Sequence, residues 1–325
     1  MIKRLPILLL FIALAFIWLG CGTTLEYGEA PKPGDYTIRT EHEINGAARS
    51  YLLHIPKSYS ARRAYPLVVV LHGAFSSGQE EADRTGLSRL ADKEGFIAVY
   101  PEGMGLLGFF KHWNAGFCCG KAKEIDLDDV GFVRDVISDV KRRAMVNASR
   151  IYIVGYSNGG MLAYRYAALN PSGIAALAVV AGTVGGREPD QTTMHVVPPA
   201  KQPLPVLMMH GTADTHVPYE GGAQNAKAGK RGFVSVRQSA LFWVEADHCQ
   251  GSPEEQKHEN GHVLVQRWTN CSPGSDVWLY TLKGWGHVWP SRQLISQFKQ
   301  SDRFPRFDAA EAIWGFLKKK RLSSK

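Results

Sequence analysis

The sequence lacks the features that mark several classes of protein. It has no internal repeat and no low-complexity tract, which argues against solenoids and long disordered regions. No shift in composition along its 325 residues marks a boundary between two globular domains. We therefore expect one domain over residues 36–325. Residues 22–35 precede it and, with Pro31, Pro33 and Gly34, are typical of a tether.

Cysteine is scarce, and no Cys/His spacing fits a zinc site, so no metal is expected. Apart from Cys21 near the N-terminus, four cysteines remain, and an even number favours disulfides in an exported protein. A bond between Cys249 and Cys271 would close a loop and contribute about 3 kcal/mol in the chain-entropy model. Cys118 and Cys119 are adjacent, so they would form a vicinal bridge or stay as buried thiols.

Basic charge is concentrated only at the end of the chain. The formal net charge is +8, but the basic residues are scattered apart from the run Lys318 to Arg321. A basic balance can indicate nucleic acid or an anionic surface. A short run at a terminus is more typical of a solvated tail, so we expect no nucleic-acid partner.

The first 21 residues resemble a bacterial lipoprotein signal. Lys3 and Arg4 precede an apolar run from Leu5 to Leu19 that is too short for a comfortable membrane span, and Cys21 would be the lipidated residue. Trp18 stands where such signals usually have leucine, which leaves an uncleaved anchor or an ordinary secretory signal open. All three interpretations place the folded domain outside the cytoplasm, with membrane contact only through this segment.

The most informative stretch is an apolar run, Arg150 to Tyr156, that ends at Ser157 and is followed at once by a helical pattern. Strand, sharp turn and helix around Gly-x-Ser-x-Gly is the context of a nucleophile elbow. Gly155 and Gly159 would let the strand and helix pass close to each other, and the helix N-terminus would face an oxyanion.

Strands alternate with helices along the rest of the chain, which predicts an α/β fold with a mostly parallel sheet and helices on both faces. Residues 36–44 and 49–55 form a predicted hairpin around Asn45-Gly46. The other predicted strands are residues 67–71, 96–100, 174–181, 205–209, 263–269 and 277–282. The predicted helices are residues 81–93, 126–144, 233–246 and 309–318, and residues 104–124 are predicted to form a long irregular loop.

Three residues that follow predicted strands have the chemistry of a catalytic triad. Ser157, Asp214 and His287 occur in the chain order of α/β-hydrolases. His287 would take the serine proton and return it to the leaving group, while Asp214 would orient the imidazole and stabilise its cation. The backbone N–H groups of Asn158 and of Ala74, with Phe75 as an alternative to Ala74, are the predicted oxyanion donors.

Other acids and histidines suit these roles less well. Asp247 is predicted to lie solvated at a helix end. His72 and His210 each precede a glycine at a strand end, and we interpret both as structural residues that donate to the backbone. Three further acids precede the serine and suit a helix cap: Asp126, Asp128 and Asp129.

Trp113, Asn114 and Trp289 are candidate substrate contacts. Trp289 lies two residues after His287, and Trp113-Asn114 follows a predicted strand end. Packing of the tryptophans in the core, and fixing of a loop by Asn114, are the alternatives that the sequence leaves open.

Six motifs in order resemble the extracellular polyhydroxybutyrate depolymerase/feruloyl esterase family, which includes the acetyl xylan esterases of carbohydrate esterase family 1. The motifs are His72-Gly73, Trp113-Asn114-Ala115-Gly116 with Cys118-Cys119, Asp128 to Phe132, Gly155 to Met161, His210 to Asp214 and Gly286 to Pro290. The resemblance covers residues 36–316. It implies an α/β-hydrolase fold with the triad Ser157, Asp214 and His287, and it supports the Cys249–Cys271 pair. The segment Gly105 to Phe110 is more apolar than the family pattern.

The expected function is that of a secreted or lipid-anchored serine esterase without a cofactor, acting as a monomer. Residues 182–205, where many lipases insert a lid, contain no convincing amphipathic helix, which favours a polymeric ester of the polyhydroxybutyrate type. A feruloyl or acetyl xylan esterase is the alternative enzyme. A peptidase would need a site for a peptide terminus, of which there is no clear sign. An inactive polymer-binding lipoprotein is the alternative of another class.

Overall fold

A ten-stranded sheet organises the molecule. The computed structural model describes residues 25, 28–44, 47–106, 108–169, 173–223 and 231–322. The predicted signal with Cys21, and the Asn45-Gly46 turn, lie outside these residues. In chain order the strands are β1 (Gly34–Ile44), β2 (Ala47–Ile55), β3 (Tyr65–Leu71), β4 (Ile97–Pro101), β5 (Met104–Leu106), β6 (Phe109–His112), β7 (Val146–Tyr156), β8 (Ala176–Val180), β9 (Gly185–Arg187), β10 (His195–Val196), β11 (Val206–Gly211), β12 (Gly232–Phe233), β13 (Glu254–His258), β14 (Val263–Trp268) and β15 (Val277–Leu282).

The central part of this sheet is parallel, as the sequence predicts. Its strand order is β1-β2-β4-β3-β7-β8-β11-β15-β14-β13. The pairs from β4 to β15 are parallel, and the two strands at each edge pair antiparallel. Continuous apolar runs such as those of β3 and β8 suit strands that are buried on both faces. Two small sheets, β5-β6 and β10-β9-β12, lie outside the central one.

Helices cover both faces of the sheet. Along β7, Ile151 and Ile153 contribute to one core while Tyr152 and Val154 contribute to the other, because successive side chains point to opposite faces. The helices are α1 (Gly78–Thr85), α2 (Leu87–Glu94), α3 (Gly120–Glu124), α4 (Asp129–Arg143), α5 (Asn158–Leu169), α6 (Val236–Ala246), α7 (Arg292–Gln297) and α8 (Ala309–Leu317). Among the described residues, none of these helices combines the length and apolarity that a bilayer crossing requires.

Three local predictions are wrong. The single helix predicted for residues 81–93 is two helices, because Gly86 adopts the left-handed conformation with φ of 66° and ends α1. The predicted irregular loop at 104–124 contains the hairpin β5-β6 and the short helix α3. Asp247 is fully buried and accepts a hydrogen bond from the N–H of Leu204, so it is not solvated.

Both pairs of cysteines form disulfides in this structure. Cys249, just after α6, is joined to Cys271, just after β14. Cys118 is joined to Cys119, so of the two states that the sequence leaves open the structure has the vicinal bridge.

A buried ion pair ties β2 to α4. Arg49 is 3% exposed and Asp129 is fully buried, and their side chains meet at 2.8 Å. The Arg49 guanidinium also lies 3.7 Å from the centre of the Phe132 ring. Desolvation lowers the pKa of Arg49 and raises that of Asp129, against their mutual attraction. Each of these buried charges therefore depends on the other for compensation.

Replacing Asp129 with asparagine is expected to destabilise the fold by about 3–5 kcal/mol, because Arg49 would remain buried without its counter-charge. The double variant Arg49→Met/Asp129→Asn should lose less stability than Asp129→Asn alone. Urea unfolding would measure both. Glu124→Gln, which removes an exposed partner of Lys121, is the matched control and should cost below about 1 kcal/mol. A double variant that loses as much stability as Asp129→Asn alone, or more, would contradict the coupling.

Candidate active site

The turn at Ser157 has the geometry of a nucleophile elbow. β7 ends at Tyr156, α5 begins at Asn158, and Ser157 between them has φ of 53°, in the left-handed region that non-glycine residues rarely adopt. A Cβ on Gly155 would lie 2.5 Å from the Gly159 carbonyl oxygen, and one on Gly159 would lie 2.2 Å from that of Leu71. Both glycines are therefore required by the close approach of α5 to the sheet.

Three side chains from different strand ends form a continuous hydrogen-bonded chain. His287 Nε2 lies 2.8 Å from Ser157 Oγ, and His287 Nδ1 lies 2.7 Å from Asp214 Oδ2. The three residues follow β7, β11 and β15, which are parallel and therefore present their carboxyl ends at one edge of the sheet. The structure thus brings together the three residues that the sequence predicts as the triad.

Asp214 is held by three hydrogen-bond donors and lies close to a second imidazole. Its Oδ1 accepts hydrogen bonds from the N–H groups of His216 and Val217, and its Oδ2 faces His287 and, at 3.2 Å, Nε2 of His210. Burial alone would raise the pKa of Asp214, but its interactions with His210 and His287 lower it well below its usual range. Asp214 is therefore a carboxylate throughout the neutral pH range.

The histidine is positioned from its backbone as well as from its ring. The Tyr156 hydroxyl donates to the His287 carbonyl at 2.9 Å, and the ring of His216 stacks on that of His287 at 4.9 Å. Sequence reasoning did not assign a role to Tyr156 or His216. The available signal was their position in the chain: Tyr156 directly precedes Ser157, and His216 lies two residues after Asp214.

The loop after β3 supplies the second predicted oxyanion donor. The N–H of Phe75 donates to the carbonyl of Lys111 at 2.8 Å, which occupies it within the protein. Of the two alternatives, this leaves Ala74, which lines the same cavity as Ser157 and Asn158. The roles of Ala74 and Asn158 as oxyanion donors stay predictions.

His72 and His210 are structural, as predicted. His72 Nδ1 donates to the Gly73 carbonyl at 2.7 Å, and its Nε2 accepts from the N–H of Gly103 at 2.9 Å. Burial lowers the pKa of His72 to about 3, so the ring is neutral. His210 Nε2 donates to the Val217 carbonyl at 2.8 Å, and its additional contact with Asp214 was not predicted.

The prediction of substrate contacts at Trp113, Asn114 and Trp289 is wrong. The structure buries all three, with exposed fractions of 0%, 1% and 0%. Trp113 Nε1 donates to the His72 carbonyl, and Asn114 Nδ2 donates to Asp126 and to a backbone carbonyl. They fix the loops around the site from inside, which is the packing role that the sequence left open.

The Asn158 side chain makes two hydrogen bonds to the backbone of the 113–119 loop, a role that sequence reasoning missed. Its Oδ1 accepts from the N–H of Trp113 at 2.8 Å, and its Nδ2 donates to the carbonyl of the same residue at 3.1 Å. The first residue of α5 is thereby fixed to the 113–119 loop. The position of its backbone N–H follows from this contact.

A cavity of about 300 Å³ opens on the triad, and its lining includes Ser157, His287, Phe75 and Phe233. The segment over residues 182–205, all described, contains only the short strands β9 and β10 and no helix. No helical lid from this segment therefore covers Ser157.

Asp214, His216 and His287 also place three donor atoms within 4.8 Å of one another. Hydrogen bonding and ring stacking account for this arrangement, since His287 Nδ1 donates to Asp214 Oδ2 at 2.7 Å and the His216 ring stacks on that of His287. The expectation that no metal is needed stays a prediction.

Comparison with known proteins places this site in context. A family model described as "Esterase PHB depolymerase" matches residues 49–240. The "Putative esterase NocK" of Nocardia uniformis subsp. tsuyamanensis is 30% identical over 272 residues, which cover 78% of this chain and 74% of that protein. "Feruloyl esterase B" of Piromyces equi is 28% identical over 246 residues, 74% of this chain but only 42% of that longer protein.

The fold has counterparts among solved structures. The acetyl xylan esterase from Aspergillus awamori superposes with a TM-score of 0.54 at 14% identity, covering 84% of this chain and 99% of that one. At this identity the likeness concerns the fold alone.

Proposed function

This chain belongs to the esterase PHB depolymerase family, and we propose that it is a serine esterase that hydrolyses the carboxylic ester bonds of a polymer, of the polyhydroxybutyrate type, through an acyl-enzyme. The observation that carries the proposal is the hydrogen-bonded chain Asp214–His287–Ser157 at the mouth of an open cavity. A hydroxyl in contact with a histidine that is itself oriented by a carboxylate is the arrangement of an activated nucleophile.

The geometry supports the following reaction. Ser157 Oγ attacks the ester carbonyl carbon while His287 Nε2 takes its proton, and the oxyanion that forms faces the N–H groups of Ala74 and Asn158. The C–O bond to the alcohol then breaks, and His287 returns the proton to the departing alkoxide. Water repeats the sequence on the acyl-enzyme, which releases the acid and restores Ser157. Asp214 stays ionised and stabilises the imidazolium in both halves.

An exposed aromatic cluster supports a polymer as the substrate. Phe75, Phe109 and Phe110 are 68%, 71% and 64% exposed. Phe75 lines the catalytic cavity and packs edge-on against Phe110 at 6.2 Å, so the cluster is continuous with the site. Exposed apolar patches of this kind mark interaction surfaces, and an aliphatic polyester presents an apolar surface on which these rings can dock.

Replacing Phe109 with serine is expected to lower adsorption to polyhydroxybutyrate particles about tenfold, because one exposed ring would no longer be buried against the polymer. Adsorption isotherms would measure the change, with the melting temperature confirming that the variant is folded. Phe298→Ser, which removes a ring that is 50% exposed after α7, is the matched control and should adsorb like the wild type. Equal adsorption of all three proteins would contradict the docking surface.

The alternatives are a feruloyl or acetyl xylan esterase and an inactive polymer-binding lipoprotein. The relative named as a feruloyl esterase favours the first. The hydrogen-bonded triad disfavours the second. The lipoprotein-like signal segment and the disulfides support a location outside the cytoplasm, either secreted or anchored through a lipid on Cys21. Residues 36–325 would form one catalytic domain.

The test measures ester hydrolysis by the protein without residues 1–21. The same protein with Ser157→Ala is the blank. Polyhydroxybutyrate, a feruloylated arabinoxylan fragment and acetylated xylan would be compared side by side. Release of soluble hydroxybutyrate units, absent from the blank, is the expected result. Release of ferulate or acetate alone would select the alternative esterase. No turnover even of small activated esters would select the binding protein.

A further inference from the structure

The catalytic cavity carries positive charge without a matching acid on its wall. Among the described residues, its lining includes two arginines, Arg84 and Arg231, but no aspartate or glutamate. A cavity of about 300 Å³ that opens on the nucleophile should therefore favour a substrate that brings a negative charge.

Arg84 is held in a fixed position at this wall. Its Nε lies 3.2 Å from a carboxylate oxygen of Glu81, its Nη2 donates to Ser76 Oγ at 3.3 Å, and its guanidinium lies 5.4 Å from the centre of the Tyr156 ring. The side chain is still 32% exposed. An arginine with its rotamer already fixed and part of its surface free needs little ordering to bind a planar anion.

The partner of Arg84 compensates its charge only in part. Glu81 is fully buried, and desolvation raises its pKa to about 7. At and below neutral pH a substantial fraction of Glu81 is therefore protonated, so this partner neutralises the charge of Arg84 at the cavity wall only in part.

Arg231 is less available. Its Nε and Nη2 both donate to Oε2 of Glu188, at 3.1 and 2.8 Å, and its Nη1 points at Cys119 Sγ at 3.9 Å. A second cation, Lys123, lies 3.7 Å from the Glu188 carboxylate. This charge is used within the protein, so Arg84 is the stronger candidate for a ligand.

We propose that Arg84 is a specificity-determining residue that binds a free carboxylate of the substrate, so that the enzyme prefers esters with a carboxylate a few bonds from the scissile bond. The inference rests on the proposed esterase activity and names the substrate class of the same site. The carboxylate could belong to the acyl part, as in a hydrogen succinate ester, or to the alcohol part, as at the free-acid end of a hydroxyalkanoate chain. A bidentate arginine–carboxylate contact is the shared chemistry.

Two matched pairs of esters test the proposal and distinguish the two ends. The first pair is para-nitrophenyl hydrogen succinate and its methyl ester, with the charge on the acyl side. The second pair is 3-(butanoyloxy)butanoic acid and its methyl ester, with the charge on the alcohol side. In one pair at least, kcat/KM at low ionic strength is expected to favour the acid about tenfold or more. High salt should reduce that preference, because exposed charges are screened.

The variant Arg84→Gln should lower the acid-to-methyl-ester ratio of kcat/KM about tenfold, and Arg89→Gln, which removes an exposed arginine from α2, should leave it unchanged. Arg84→Gln could fail to fold because Glu81 loses its partner. In that case the acid-to-methyl-ester ratio of the double variant Glu81→Gln/Arg84→Gln and the salt dependence of the wild-type ratio test the proposal. A wild-type ratio near or below one in both pairs, or equal losses for acid and methyl ester in Arg84→Gln, would overturn the proposal. Failure of the wild type to exceed Ser157→Ala on the neutral esters would instead overturn the esterase function itself.

Discussion

Replacing Ser157 with alanine is expected to lower kcat for a soluble ester on the order of 10⁶-fold, the loss that follows removal of a triad serine. Without Oγ the covalent route is closed, and His287 can at most activate a water. The cavity and the predicted oxyanion donors remain, so binding of the substrate should change much less than kcat. The measurement is the hydrolysis of para-nitrophenyl butyrate over several days, with enzyme concentrations high enough to detect the residual rate.

A fluorophosphonate probe gives a second readout for the same residue. The wild type should be labelled at Ser157, and Ser157→Ala should not be labelled at all. Ser138→Ala, which removes an exposed hydroxyl from α4, is the matched control and should react like the wild type. Residual activity within tenfold of the wild type, or persistent labelling of Ser157→Ala, would show that another residue is the nucleophile.

The elbow was predictable from sequence because its determinants are local. The strand before Ser157, the helix after it and the two glycines all lie within a dozen residues, and the steric demand on Gly155 and Gly159 follows from backbone geometry alone. The order of Ser157, Asp214 and His287 was predictable for a related reason. Parallel strands that alternate with helices place their carboxyl ends at one edge, whatever the details of packing.

Burial was not predictable in the same way, because it depends on segments far apart in the chain. Trp113 and Trp289 were expected to contact substrate, yet both are fully buried. Trp113 Nε1 donates to the His72 carbonyl, and Trp289 packs edge-on against Tyr156 at 6.2 Å. Asp247 looked like a solvated helix end, but the chain around Leu204 covers it. In each case the neighbour that decides the outcome is tens of residues away.

The roles of charged residues near the site were hidden for the same reason. Glu81 and Arg84 lie one turn apart on α1 and would be taken for an ordinary surface ion pair. Only the structure shows that Glu81 is fully buried and that Arg84 lines the catalytic cavity. The sequence therefore predicted the hydrogen-bonded arrangement of Ser157, Asp214 and His287, and it could not predict which charges surround them.

Replacing Asp214 with asparagine is expected to lower kcat about 10⁴-fold while leaving the fold intact. The hydrogen bonds explain why this isosteric change should be so damaging. Oδ1 accepts from two backbone N–H groups, of His216 and Val217, so the amide oxygen of an asparagine would occupy that position. Its NH₂ group would then face His287 Nδ1, which must become an acceptor.

The consequence is a change of tautomer at the base. With Nδ1 unprotonated, the His287 proton would sit on Nε2, which faces Ser157 Oγ at 2.8 Å and could no longer take its proton. The NH₂ group would also confront Nε2 of His210, which lies 3.2 Å from Asp214 Oδ2 in the wild type. The matched control is Asp302→Asn, since Asp302 is an exposed acid outside the cavity and should keep full activity. If Asp214→Asn kept more than about a tenth of the wild-type kcat, Asp214 would not be the residue that orients His287, and the triad would have to be reassigned.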